Sequence, residues 1–172
     1  MYPNQYNGTP VEKEIIERLL QAANWAPSHK KTEPWRFRVL QGESQNRLGE
    51  FLQQKYLETN SDPKQFRARK LLENPGKAGA IIAICMQRDP EERLPEWEEI
   101  AATAMAVQNM WLCATELGVG AYWSSPGLIR YMHEFFDLSA GERCLGFFYL
   151  GYYDEPLEKV PRGAVSQKTR WL

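Results

Sequence analysis

The segment Ala78-Gly-Ala-Ile-Ile-Ala-Ile-Cys-Met86 is apolar at every position. It is far too short to cross a bilayer, and its isoleucines favour a pleated backbone. A strand with no polar alternation must be covered on both faces. The chain therefore needs helical layers on both sides of a sheet, and 172 residues supply about one domain of that kind.

The flanking pattern supplies the layers. Thr9-Pro10-Val11-Glu12 has the form of a capping box with proline at the first helical position. Ile15, Ile16, Leu19, Leu20 and Ala23 recur on one face, which predicts a helix over 10–25, closed by Pro27. Trp35 to Leu40 alternates with period two and reads as a strand. Two polar helices are expected over 44–58 and 63–73, stopping near Asn74-Pro75-Gly76. Glu96 to Leu117 reads as one long helix, apolar around much of its circumference and hence central, with Gly118 as its stop. Val119 to Trp123 is a short strand. Ser125 is placed to cap a following helix that carries Leu128, Ile129, Met132, Phe135 and Phe136 on one side. Cys144 to Tyr153 is a last, aromatic strand, and a polar tail follows Asp154. Four strands alternating with helices give a helix-covered sheet in a single domain spanning 1–172; the pattern leaves strand order and direction open.

Composition removes several functions. With 21 basic against 22 acidic residues and a net charge of −1, no electrostatic footprint for nucleic acid or an acidic membrane is present. The longest uncharged run, Ile100 to Thr115, is shorter than a membrane span and includes Thr103, Gln108 and Asn109. The first residues lack the basic start and apolar stretch of a secretion signal, so a cytoplasmic protein is expected. The three cysteines, Cys85, Cys113 and Cys144, are far apart with no CxxC spacing, which argues against a zinc site or disulfide framework. They read as buried free thiols. A thiol nucleophile paired with His29 or His133 has no supporting spacing. The acidic pairs Glu91-Glu92 and Glu98-Glu99 read as solvated faces.

Two segments stand out for chemistry. Ser28-His29-Lys30-Lys31-Thr32 puts cationic donors on a short loop before a strand, suited to phosphate or to the edge of a flavin. Trp123-Ser124-Ser125-Pro126-Gly127 lies where a strand gives way to a helix, a favoured position for a ligand in sheet folds. Each has a plain structural reading as well, a solvated loop and a helix cap. Gly118-Val-Gly120 lacks the third glycine and the strand-then-helix order of a dinucleotide fingerprint.

The segment Ala22-Ala-Asn-Trp-Ala-Pro-Ser-His-Lys-Lys-Thr-Glu-Pro-Trp-Arg-Phe37 resembles the first signature of the FMN-dependent nitroreductases, in the smaller, Ser-His-Lys branch. The long Ala-rich helix followed by Leu117-Gly-x-Gly-x-x-Trp123, the late strand ending in Leu150-Gly151, and the tail closing near Arg170-Trp171 match in order. The resemblance implies an α+β fold with a sheet of about four to five strands, an intertwined homodimer with 154–172 packed on the partner, and FMN at the dimer interface. It implies an NADH- or NADPH-dependent oxidoreductase reducing nitroaromatics, quinones or similar flat acceptors by a ping-pong mechanism. Carried over by position, Trp25 and His29 meet the flavin or its ribityl chain. Trp123, Ser124 and Ser125 line the isoalloxazine ring, and Arg162 contacts the phosphate, with Lys30 and Lys31 as further cations. Family members carry Arg-Arg-Ser on the phosphate a few residues before the position of Pro3; this sequence starts at Met1-Tyr2-Pro3 and lacks it, so a weakened hold on FMN is expected. A non-catalytic flavin- or ligand-binding homologue is the alternative.

Overall fold

The apolar run becomes strand β2, Ala80–Gln87, buried from Ala80 to Met86. In the computed structural model, which describes residues 3–155 and 161–172, β2 lies inside a four-stranded sheet. The other strands are β1 (Trp35–Leu40), β3 (Gly120–Ser124) and β4 (Glu142–Gly151). The order is β1-β2-β4-β3 and every pairing is antiparallel.

Side chains on alternate residues of β2 enter two separate cores. Ala80, Ile82 and Ile84 meet helices α1 (Lys13–Asn24) and α4 (Glu96–Glu116). Ile81, Ala83 and Cys85 meet α2 (Glu43–Thr59), Ala68 of α3 (Gln65–Lys77) and a 3-10 helix, Gly127–Glu134. This is the two-sided covering that the uninterrupted apolar strand requires. α2 and α3 pack closely because Gly49 has no side chain; a Cβ there would stand 2.2 Å from the Leu72 carbonyl oxygen.

Several boundaries differ from the sequence expectation. α1 starts at Lys13 with Glu12 as its N-cap residue, and Thr9 caps nothing. The Val11 N–H donates to the Gly79 carbonyl and the Val11 carbonyl accepts from Gln41 Nε2, at 3.2 and 2.7 Å, so these residues are held extended beside β2. α3 runs through Pro75 to Lys77. The buried Gln45 amide makes this end tenable: its Nε2 donates to the Pro75 and Ala78 carbonyls at 2.8 and 2.9 Å. The segment after β3 is a 3-10 helix whose N-cap position is Pro126, so Ser125 is exposed and is not the cap. The residue after a strand end that already precedes a proline is held extended, which moves the helix start past it.

α4 is central but not buried all round. Ala102, Ala106, Val107, Met110 and Ala114 face the sheet, whereas Trp97, Met105 and Leu112 are 65, 41 and 62% exposed. These three repeat at helical spacing and form an outward apolar stripe. Of the tail, residues 161–172 are exposed, including Trp171 at 93%; 156–160 lie outside the described residues, as do Met1 and Tyr2. Among the described residues no helix is long and apolar enough to cross a membrane.

Candidate functional site

The loop between α1 and β1 is built under strain. Lys30, Lys31 and Glu33 have φ of 52°, 53° and 41°, a region that side-chain-bearing residues seldom occupy. Each such residue costs on the order of 1 kcal/mol or more and persists only where its surroundings fix it. Here they do. His29 Nδ1 lies 2.7 Å from Glu98 Oε2 on the first turn of α4. Lys30 Nζ donates to the Arg93 carbonyl at 3.1 Å. The Glu33 N–H donates to Ser28 Oγ at 3.2 Å, and Arg36 donates to the Glu33 carbonyl at 2.9 Å. Trp25 closes α1 with its indole 79% exposed. Trp25, His29 and Lys30 thus stand on one clamped loop, while the Lys31 ammonium has no partner among the described residues. A cleft of about 550 Å³ between α1 and β1, lined by Gln21, Asn24, Glu33 and Arg36 among others, opens beside it.

The other side of the clamp is equally tied down. Arg93 grips Asp89 through Nε and Nη2 at 2.7 and 3.0 Å, which holds the Asp89 carboxyl down to about 2. Glu99 is buried; it accepts the Asp89 N–H at 2.9 Å and pairs with Arg88. The Glu98-Glu99 pair is therefore no solvated face. One carboxylate holds the cationic loop and the other holds the approach to α4. Neither role shows in the sequence, because the partners lie outside α4 and three glutamates in the first helical turn are explained locally by the helix dipole.

The Trp123–Ser125 segment divides across the sheet. Trp123 points into the α1/α4 layer, and its Nε1 donates to the Leu145 carbonyl at 3.3 Å. Ser124 points the other way, into a small cavity of about 130 Å³ with Tyr122, Tyr149, Arg67 and Pro126. Burial raises both tyrosine hydroxyls far above their ordinary range, so they stay protonated donors.

The two segments lie on opposite edges of the sheet, with Ser124 level with the middle of β4 and Trp35 level with its start. Trp35 at the start of β1 pairs with Met86, Met86 with Arg143, and Ser124 with Phe147. Strands β2 and β4 stand between them. Arg162 is exposed in the tail. The structure thus gathers Trp25, His29 and Lys30 on one loop, whereas it sends the side chains of Trp123 and Ser124 to opposite faces of the sheet.

Residues 4–152 match the model of the Nitroreductase family. The chain is 31% identical over 141 residues to the "Putative NAD(P)H nitroreductase YdjA" of Escherichia coli (strain K12), covering 80% of this chain and 75% of that one. It is 29% identical over 171 residues to YfhC of Bacillus subtilis (strain 168), which carries the same designation, covering 95% of this chain and 86% of that protein. Among solved structures, a nitroreductase-like family protein from Bacillus cereus superposes with a TM-score of 0.84 at 28% identity, over 100% of this chain and 91% of that one. The FMN-dependent nitroreductase NfnB from Mycobacterium smegmatis, solved with NADPH, shares the fold at 15% identity and a TM-score of 0.77, over 99% and 93%.

Proposed function

The chain belongs to the Nitroreductase family, and from that premise we propose that it is an FMN-dependent NAD(P)H oxidoreductase acting on nitroaromatics, quinones or similar flat acceptors. The observation that carries this reading is the strained cationic turn His29–Lys31, clamped to α4 by Glu98 and the Arg93 carbonyl. Strain held in place by long-range contacts marks a functional segment more than a solvated loop.

The residues present suit FMN chemically. Trp25 offers an exposed aromatic face. Lys31 offers a free ammonium, and the Ser124 hydroxyl makes no hydrogen bond among the described residues. Trp25, His29 and Lys30 would hold the flavin and its ribityl chain on one side. The segment Trp123–Ser125 would line the ring, with Arg162 on the phosphate. FMN, when bound, supplies the electron-transfer chemistry. The protein's part is binding, orientation and charge. Cationic donors fixed before the ligand arrives stabilise a flat anion without reorganising. NADH or NADPH and the acceptor use the same place in turn, which gives ping-pong kinetics. No side-chain acid–base pair is required of the chain.

The reading includes a homodimer. Within one chain the two segments are separated by β2 and β4, so a single copy does not surround one ring with both. The outward stripe Trp97, Met105 and Leu112 on α4 and the exposed Val165, Trp171 and Leu172 of the tail are apolar side chains that a second copy would cover.

The test is flavin reconstitution. The protein is loaded with FMN, desalted, and its visible spectrum and NAD(P)H consumption with a nitroaromatic or quinone are recorded. Retained flavin with turnover supports the proposal. Retained flavin without turnover would make the chain a flavin carrier. The double variant His29→Ala/Ser124→Ala should lose flavin affinity while remaining folded, and unchanged retention would refute the site assignment.

A further inference from the structure

Cys85 of β2 and Cys144 of β4 are register partners across the antiparallel pair. A β-bulge makes them so. Ile84 pairs with Gly146, and Leu145 is the extra residue, so the next pair is Cys85 with Cys144. Without the bulge Leu145 would stand opposite Cys85. With it, Leu145 turns to the α1/α4 side and Cys144 joins Cys85 in the opposite core. The bulge is itself fixed: the Trp123 indole donates to the Leu145 carbonyl, and Gly146 has a φ of 149° with no room for a Cβ beside Trp123.

Directly opposed residues of an antiparallel pair have Cα atoms about 4.5–5.5 Å apart. A disulfide spans Cα separations of about 4.4–6.8 Å. The Arg38 guanidinium lies beside Cys85 and is paired with Glu142 at the start of β4. Cys144 lines a cavity of about 450 Å³ formed with Ile129, His133, Leu138 and Arg143. That is ample room for a small oxidant, since a water takes about 30 Å³.

We propose that Cys85 and Cys144 form a peroxide-oxidisable dithiol that closes to an intrachain disulfide between β2 and β4. The Arg38 guanidinium favours the charged form of both sulfurs. Cys144 lines the cavity whereas Cys85 is fully buried, so peroxide meets the pair at Cys144 and Cys85 is the resolving sulfur. The Cys144 thiolate attacks one oxygen of hydrogen peroxide. An S–O bond forms, the O–O bond breaks, and the departing hydroxide takes a proton to become water. The Cys85 sulfur then displaces the hydroxyl of the Cys144 sulfenic acid. The S–S bond forms, the thiol proton leaves with the hydroxyl, and a second water is released. Two thiols lose two electrons and the peroxide gains them. Cys113, on α4, takes no part.

The experiment is thiol mapping on the whole protein. It is incubated with excess hydrogen peroxide, denatured, alkylated and digested. The expected result is loss of two of the three alkylatable thiols, a peptide linking Cys85 to Cys144, and full recovery on adding a dithiol reductant. A Cys85→Ser variant, folded by circular dichroism, should trap a sulfenic acid on Cys144 that reacts with dimedone. Persistence of both thiols after peroxide, or a linkage through Cys113, overturns the proposal. The mapping of the unmodified chain decides the matter even if the variant does not fold.

Discussion

His29 Nδ1 and Glu98 Oε2 stand 2.7 Å apart, joining the loop before β1 to the first turn of α4 across 69 residues of sequence. The imidazole side is 61% exposed and the carboxylate side 24%. A pair this open to water contributes only about 0.2–1 kcal/mol to global stability. Its larger effect is local, because it fixes a loop whose backbone is otherwise unfavourable.

Glu98→Ala should therefore leave the unfolding free energy within about 1 kcal/mol of the parent. FMN affinity should fall about five-fold, the equivalent of that same energy spent on re-ordering the loop. Flavin fluorescence titration beside urea unfolding checks both. An unchanged dissociation constant would show that the clamp does not serve the cofactor.

Gly146→Ala should destabilise the protein by about 2–3 kcal/mol, from an added methyl with no space and a strained φ. The new Cβ would meet Trp123 Nε1 at 2.2 Å and the Ser124 carbonyl oxygen at 2.6 Å. Gly127→Ala is the control, since nothing lies within 4 Å of its Cβ position. Denaturant midpoints measure the pair. Equal midpoints would mean that β4 yields at the bulge.

Met105→Glu combined with Leu112→Glu places charge in the outward stripe of α4, where both side chains are exposed in the single chain. The secondary structure should persist and the sedimentation mass should fall to that of one 19.9 kDa chain. A parent that already sediments as a monomer at micromolar concentration removes the dimer from the proposed function.

Asp89 sets an acid limit. Arg93 holds its carboxyl near 2, below the unfolded value of about 3.9. A depressed carboxyl adds stability that is fully present above the unfolded value and is lost as pH falls through the folded one. Urea midpoints of the parent should accordingly decline between about pH 4 and pH 2. Asp89→Asn should start lower at neutral pH and decline less steeply over that interval. Parallel curves for the two proteins would place the acid sensitivity elsewhere.

The local alphabet of the chain was enough for its elements. β1 falls where alternation places it, β2 where an apolar run demands cover on both faces, and α4 ends at the glycine that its φ of 71° requires. These signals act between residues a few positions apart, so they are written in the sequence. The cationic loop and the Trp123–Ser125 segment were legible for the same reason, as residue types at short spacing. What spacing could not give was how those segments stand to one another. Antiparallel order β1-β2-β4-β3 separates them onto opposite edges, and alternation along β3 sends Trp123 and Ser124 to opposite faces. The His29–Glu98 pair, the Gln45 amide that ends α3, and the bulge that brings Cys144 opposite Cys85 all join residues distant in sequence. Such contacts exist only once the sheet has closed, because loop closure and packing, and no local preference, bring those side chains within reach of each other.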